Sequence, residues 1–144
     1  MFVPAWSRAG LLVVLVATLA CSDAGPASVE GSYALESLNE SPLPYDHDGL
    51  GCCWYLAGSL TLGPSDYAMS ITARNFGGTD PFTITEWGTY ARNGATLTFA
   101  ADSFDVIPLL LSPGLVSGDA IELGLGGEGP GEPDQFQARF VREP

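Results

Sequence analysis

Apolar side chains recur at every second position through most of this chain, and no segment beyond Ala20 carries a helical period. The clearest case runs from Phe82 to Ala101. Leu97 and Phe99 point one way and Thr96 and Thr98 the other, as a half-buried strand requires. Asn93-Gly94 reads as a type I′ turn, since both residues tolerate positive φ. That turn sets Arg92 opposite Ala95, Tyr90 opposite Leu97 and Gly88 opposite Phe99. Glu86 then falls on the inner face, opposite Ala101.

The same alternation appears on both sides of this hairpin. Tyr33 and Leu35 open the fold on one face. Trp54, Leu56, Gly58, Leu60 and Leu62 share a face, and Gly63-Pro64-Ser65-Asp66 is turn chemistry. Tyr67, Met69, Ile71 and Ala73 follow, then a Gly-rich loop from Asn75 to Pro81. Val116 to Ile121 reads as a hairpin with Gly118-Asp119 at its tip, and Ile121, Leu123 and Leu125 continue it. Phe136, Ala138 and Phe140 close the chain. Between Phe104 and Leu111 an apolar cluster is interrupted by Pro108 and closed by Pro113, and proline there argues against a central strand. The pattern predicts an all-β fold of about eight strands. Short links and one polar face favour a small antiparallel up-and-down barrel, with a β-sandwich as the alternative.

The first residues behave differently. Arg8 precedes an unbroken apolar run, Leu11 to Ala20, of signal-peptide length and too short to span a bilayer. Residues 1–20 are therefore expected to be a signal peptide, with 21–30 a small, polar tether and 31–144 the barrel domain. Ala17-Thr-Leu-Ala-Cys21 resembles the lipobox of bacterial lipoproteins. The resemblance implies acylation of Cys21, a membrane anchor without a transmembrane helix, and residence in the bacterial cell envelope. Ser22 after the Cys leans towards the outer membrane.

Charge narrows the partners. The formal net charge is -12, from 17 acidic residues against 5 basic ones, all Arg. Such a surface cannot replace phosphate counterions, so nucleic acid is excluded as a partner. No Gly-x-Ser-x-Gly elbow is present, and the single His lies in a loop with no recognisable triad. The chain is thus expected to be non-enzymatic and to carry no cofactor and no metal. Asp46-His47-Asp48 with Cys52-Cys53 is a weak metal candidate, because adjacent cysteines lack ligand spacing. A strained vicinal disulfide, two free thiols or an intermolecular bond are the other readings of Cys52 and Cys53. Gly124 to Gly131 lacks the Lys and Ser/Thr of a phosphate loop and reads as linker.

The opening Gly31-Ser-Tyr-Ala-Leu35, the Gly58-Ser-Leu-Thr-Leu62 strand, Gly88-Thr-Tyr90 followed by Asn93-Gly94, and the closing Phe140-Val-Arg142 together resemble the small lipocalin-like lipoproteins of bacteria. Tyr33 stands where true lipocalins carry Trp. The resemblance implies a barrel that can hold a small apolar ligand. The lining residues would be Tyr67, Met69, Ile71, Glu86, Tyr90, Leu97, Phe99 and Phe136. Glu86 has three readings: turned outward by a bulge, paired with Arg139 or Arg142, or facing a ligand's polar end in a wet lumen. The alternative function is a protein-interaction, inhibitor or envelope-assembly module using the apolar 104–111 segment. A hydrolase or metal enzyme at Asp46–Cys53 is the third.

Overall fold

Side-chain alternation closes the sheet on itself. The structure, a computed structural model, describes residues 27–46, 53–105, 109–126 and 135–144. The described strands are β1 Gly31–Leu38, β2 Ser41–Pro42, β3 Tyr45–Asp46, β4 Cys53–Leu62 and β5 Asp66–Asn75. They continue with β6 Pro81–Asn93, β7 Thr96–Phe104, β8 Leu110–Ser117, β9 Ala120–Gly126 and β10 Gln135–Arg142. From β4 to β10 each strand pairs with the next, and β1 pairs with both β10 and β4. All pairings are antiparallel. The result is an eight-stranded up-and-down barrel, with β2 and β3 as short additions at the edges of β1 and β4. Closure removes the free edges that a sandwich would keep.

The expected inner faces of β5, β7, β9 and β10 are the observed ones. Tyr67, Met69, Ile71, Leu97, Ile121, Leu123, Phe136 and Phe140 are all buried in one cluster with Tyr33, Leu35, Leu38, Leu60 and Leu62. Large side chains from every part of the ring therefore meet at the axis. Burial of this kind stabilises by about 25 cal/mol per Å² of apolar surface removed from water.

Four expectations are corrected. First, the β6–β7 turn is Gly94-Ala95, with Asn93 paired to Thr96. Gly94 has φ 62° and Ala95 does not take a positive φ, which is the pattern of a type II′ turn. Tyr90 consequently faces Phe99, and Gly88 faces Ala101. An extra residue in β7, Asp102, then shifts the register, so Glu86 opposes Phe104 and not Ala101. Second, the β4 register shifts at Leu56, so Tyr55 pairs with buried Ala73 and Trp54 pairs with Arg74 on the outer side. Third, β8 runs through Pro113. It keeps its place between β7 and β9, but three residues, Ser112 to Gly114, oppose one residue of β9. Proline cannot donate to the ladder, and the bulge absorbs that loss. Fourth, Ala27–Glu30 are no free tether: Val29 is 5% exposed and belongs to the core.

The two ends of the barrel differ. One end carries the tight turns 63–65, 94–95 and 118–119 and receives the chain at Gly31, which pairs with Leu62. At the other end lie Leu38 of β1, Asn75 of β5, Phe104 of β7 and Gly126 of β9, where the strands are joined through longer stretches of sequence; this is the long-loop end.

Candidate functional site

A buried carboxylate sits inside the barrel towards the long-loop end. Glu86 is 1% exposed, and it shares the inward side of β6 with buried Gly88, with exposed Trp87 between them pointing out. An ionised carboxylate in that position needs hydrogen bonds. The Tyr67 hydroxyl donates to Oε1 at 2.6 Å. The Leu109 backbone N–H donates to Oε2, and the Leu110 N–H lies 3.4 Å from each oxygen. Glu86 is thus not turned outward, and it is not paired with Arg139 or Arg142. Arg139 bridges Glu36 and Glu122 on the outer surface at 2.9 and 2.8 Å. Arg142 serves the opposite end of the barrel.

The sequence offered Glu86 and Tyr67 separately. Tyr67 comes within reach because Met69 pairs with Glu86, which makes Tyr67 the diagonal neighbour across the strands. Pairing β5 with β6 through the 76–80 loop would have revealed it. Nothing in the sequence pointed to the Leu109 and Leu110 amides. Burial, and then the hydrogen bond to Glu86, push the Tyr67 phenol well above its ordinary range. The Phe99 ring stands edge-on to Tyr67 at 5.2 Å. Burial also raises the Tyr90 phenol, whose hydroxyl donates to the Gly63 carbonyl at 2.7 Å. Just outside Glu86, the Asp105 carboxylate accepts from the Thr85 N–H at 2.7 Å and the Thr85 hydroxyl at 2.8 Å, which lowers its pKa.

Of the remaining expected lining residues, Met69, Ile71, Leu97 and Phe136 are buried at the axis, and Tyr90 and Phe99 are partly buried against them. Leu109 and Leu110 also join the core, so the apolar 104–111 segment is not a continuous outer surface. Within it, Phe104 is 42% exposed.

The long-loop end has an aromatic mouth. Tyr45 and Tyr55 meet Phe136 edge-on at 6.0 and 5.3 Å, and Leu43 and Ile84 also pack partly buried on the core. On the outer side of β4, the Arg74 guanidinium lies 4.8 Å from the Trp54 ring, and Phe76 meets that ring edge-on at 6.3 Å.

The Cys21 and Cys52 assignments, His47, and the signal peptide lie outside the described residues. Cys53 begins β4, and its side chain is likewise outside them. Among the described residues no group of three or more His, Cys, Asp or Glu is placed to hold a metal ion. No described helix is long and apolar enough to cross a membrane. The chain matches no family model, no curated protein and no solved structure.

Proposed function

We propose that the protein is a non-enzymatic, lipid-anchored envelope lipoprotein of lipocalin-like build, and that its barrel takes a small apolar molecule at the long-loop end. The observation that carries this reading is the polarity of the barrel. The chain enters at the tight-turn end, where Arg142 Nη1 donates to the Glu30 carbonyl at 2.7 Å and Nη2 to the Ser28 carbonyl at 2.8 Å. Arg92 Nη1 holds the Ala27 carbonyl at 2.7 Å. An acyl group on Cys21 therefore keeps the tight-turn end near the bilayer and the aromatic mouth away from it. Tyr45, Tyr55, Leu43 and Ile84 offer a partly exposed apolar rim, while the axis below is occupied by Leu60, Ile71, Leu97 and Phe140. A bound molecule sits at the rim and not at the centre.

The anchor is tested by palmitate labelling of the full chain in a bacterial host. Cys21→Ser abolishes the label if the reading is right, and an unchanged label overturns it. The mouth is tested with the fluorescent probe N-phenyl-1-naphthylamine on the detergent-extracted protein. Tyr55→Ala weakens probe binding by about tenfold, a loss of ~1.4 kcal/mol in line with removal of an aromatic contact. Equal binding by both proteins sinks the mouth as a site. A second reading, a protein-docking module, draws on Trp87 at 50% and Phe104 at 42% exposure, which sit at neighbouring register positions of β6 and β7. Probe binding lost in Tyr55→Ala but kept in Trp87→Ala favours the first reading.

A further inference from the structure

Cations are scarce on this acidic chain, and most of the described ones are paired to oxygen. Arg139 bridges Glu36 and Glu122. Arg142 donates to the Glu30 and Ser28 carbonyls, and Arg92 to those of Gly94 and Ala27. Among the described residues, Arg74 is the one Arg whose guanidinium meets no oxygen; its contact is with the Trp54 ring, at 4.8 Å. Two acids stand near it in the sheet. Asp46 pairs with Trp54, which pairs with Arg74, and Asp80 precedes Pro81, which pairs with Arg74 on the other side. Neither forms an ion pair with it. A guanidinium held on an aromatic face is fixed in place while its five N–H donors stay unsatisfied. The Trp54 Nε1–H beside it is closed off from water and also lacks an acceptor. A buried donor left in that state costs about 1–3 kcal/mol. Phe76, 65% exposed, meets the Trp54 ring edge-on at 6.3 Å and leaves most of its own surface open. Donors and aromatic surface thus meet at one place, with no acceptor supplied.

We propose that Arg74, Trp54 and Phe76 form a binding site for a singly charged aromatic carboxylate, on the outside of the barrel beside the long-loop end. The Arg74 fork takes the carboxylate as a bidentate pair, and the ligand's ring packs on Phe76. A neutral aromatic molecule leaves the donors unmet. A phosphate monoester brings a second negative charge towards Asp46 and Asp80 and is disfavoured. The acids farther away matter less, because salt at physiological strength screens them over about 8 Å. The site is separate from the proposed mouth. Trp54 and Arg74 lie on the outer side, whereas the next pair along the strands, Tyr55 and Ala73, faces the core.

The test follows the Trp54 indole N–H by nuclear magnetic resonance in the detergent-extracted full chain carrying Trp87→Phe, titrated with benzoate, benzyl alcohol or phenyl phosphate. Benzoate moves the resonance to saturation. Benzyl alcohol binds about tenfold more weakly or worse, the size of a lost charge-assisted hydrogen bond, and phenyl phosphate is also weaker than benzoate. Arg74→Gln weakens benzoate by about tenfold or more. Arg74→Lys keeps the charge but loses the planar fork and its stacking, so it binds benzoate as poorly as Arg74→Gln, which separates a shaped site from plain attraction of an anion. Phe76→Ala, at an exposed position, weakens benzoate by about threefold and keeps the site testable if an Arg74 variant fails to fold. No saturating shift, equal binding of benzyl alcohol, phenyl phosphate as tight as benzoate, benzoate binding that survives in Arg74→Lys, or unchanged binding in Phe76→Ala overturns the proposal. Benzoate inert while N-phenyl-1-naphthylamine still binds at the mouth overturns this inference alone.

Discussion

Gly88 has no room for a side chain. A Cβ there would meet the Ala100 carbonyl oxygen, with Ala101 Cα and the Asp102 nitrogen at 2.9 Å, because the extra β7 residue brings that backbone inward. Gly88→Ala is therefore expected to lower stability by about 1–3 kcal/mol, measured by urea unfolding, as overpacking does where backbone must yield. At the Tyr67–Glu86 contact the expected cost of Tyr67→Phe is about 1.5–3 kcal/mol at neutral pH, the range for a hydrogen bond to a charged group. Its pH dependence has a definite sign. The folded phenol titrates above its unfolded value of 10.0, so its contribution is complete below pH 10 and is lost as pH rises further. The wild-type protein should lose stability above pH 10 with a slope that includes one proton, about 1.4 kcal/mol per pH unit, and Tyr67→Phe should lack that share. Parallel alkaline limbs in the two proteins would contradict the assignment of the raised phenol to Tyr67.

Among the elements, the short strap before β1 is the one most dependent on a few side chains. Tyr33 donates its hydroxyl to the Val29 carbonyl at 2.7 Å, Arg142 Nη2 donates to that same hydroxyl at 2.7 Å, and the guanidinium lies 5.0 Å from the Tyr33 ring. Arg142→Leu removes the donors that hold Ser28 and Glu30. Faster proteolysis ahead of Gly31 is the expected result, with the barrel strands themselves keeping their exchange protection; the variant would leave cleavage unchanged if the strap were held by Val29 burial alone. Period-two reading found the barrel because Tyr67 to Ala73 and Ile121 to Leu125 alternate without a break. It failed where one residue was inserted. Leu56 and Asp102 each move a pairing by one position, and neither residue type marks a bulge in sequence. Pro113 misled in the other direction, because the β8 bulge admits a proline that a regular ladder would reject. The strap was unreadable for a different reason: its docking depends on Arg142 and Arg92, which lie far along the chain and meet it only once the barrel has closed.

For the whole molecule, the position of the strap decides which way the barrel faces. Five residues, and so six Cα-to-Cα steps, separate Cys21 from Ala27, and a fully extended chain of that length reaches about 20 Å. A strand of ten residues such as β5 extends roughly 33 Å and, tilted by about 40° as barrel strands are, spans roughly 25 Å along the axis, still more than the leash reaches. If Cys21 is acylated, the tight-turn end must then visit the lipid headgroups, and the long-loop end cannot do so without the strap letting go. Native Trp54 pairs with Arg74 near the long-loop end and reports on that side. Ser65→Trp places a reporter in the β4–β5 turn at the other end, in a background where Trp54 and Trp87 are replaced by Phe. With the full chain anchored in vesicles carrying headgroup spin labels, the Ser65→Trp signal should be quenched more strongly than that of Trp54 in a Trp87→Phe protein. Arg142→Leu should narrow the difference, because a freed strap lengthens the leash and loosens the orientation. Stronger quenching of Trp54 would mean that the mouth faces the bilayer. The apolar molecule would then come from the membrane itself, not from the aqueous side.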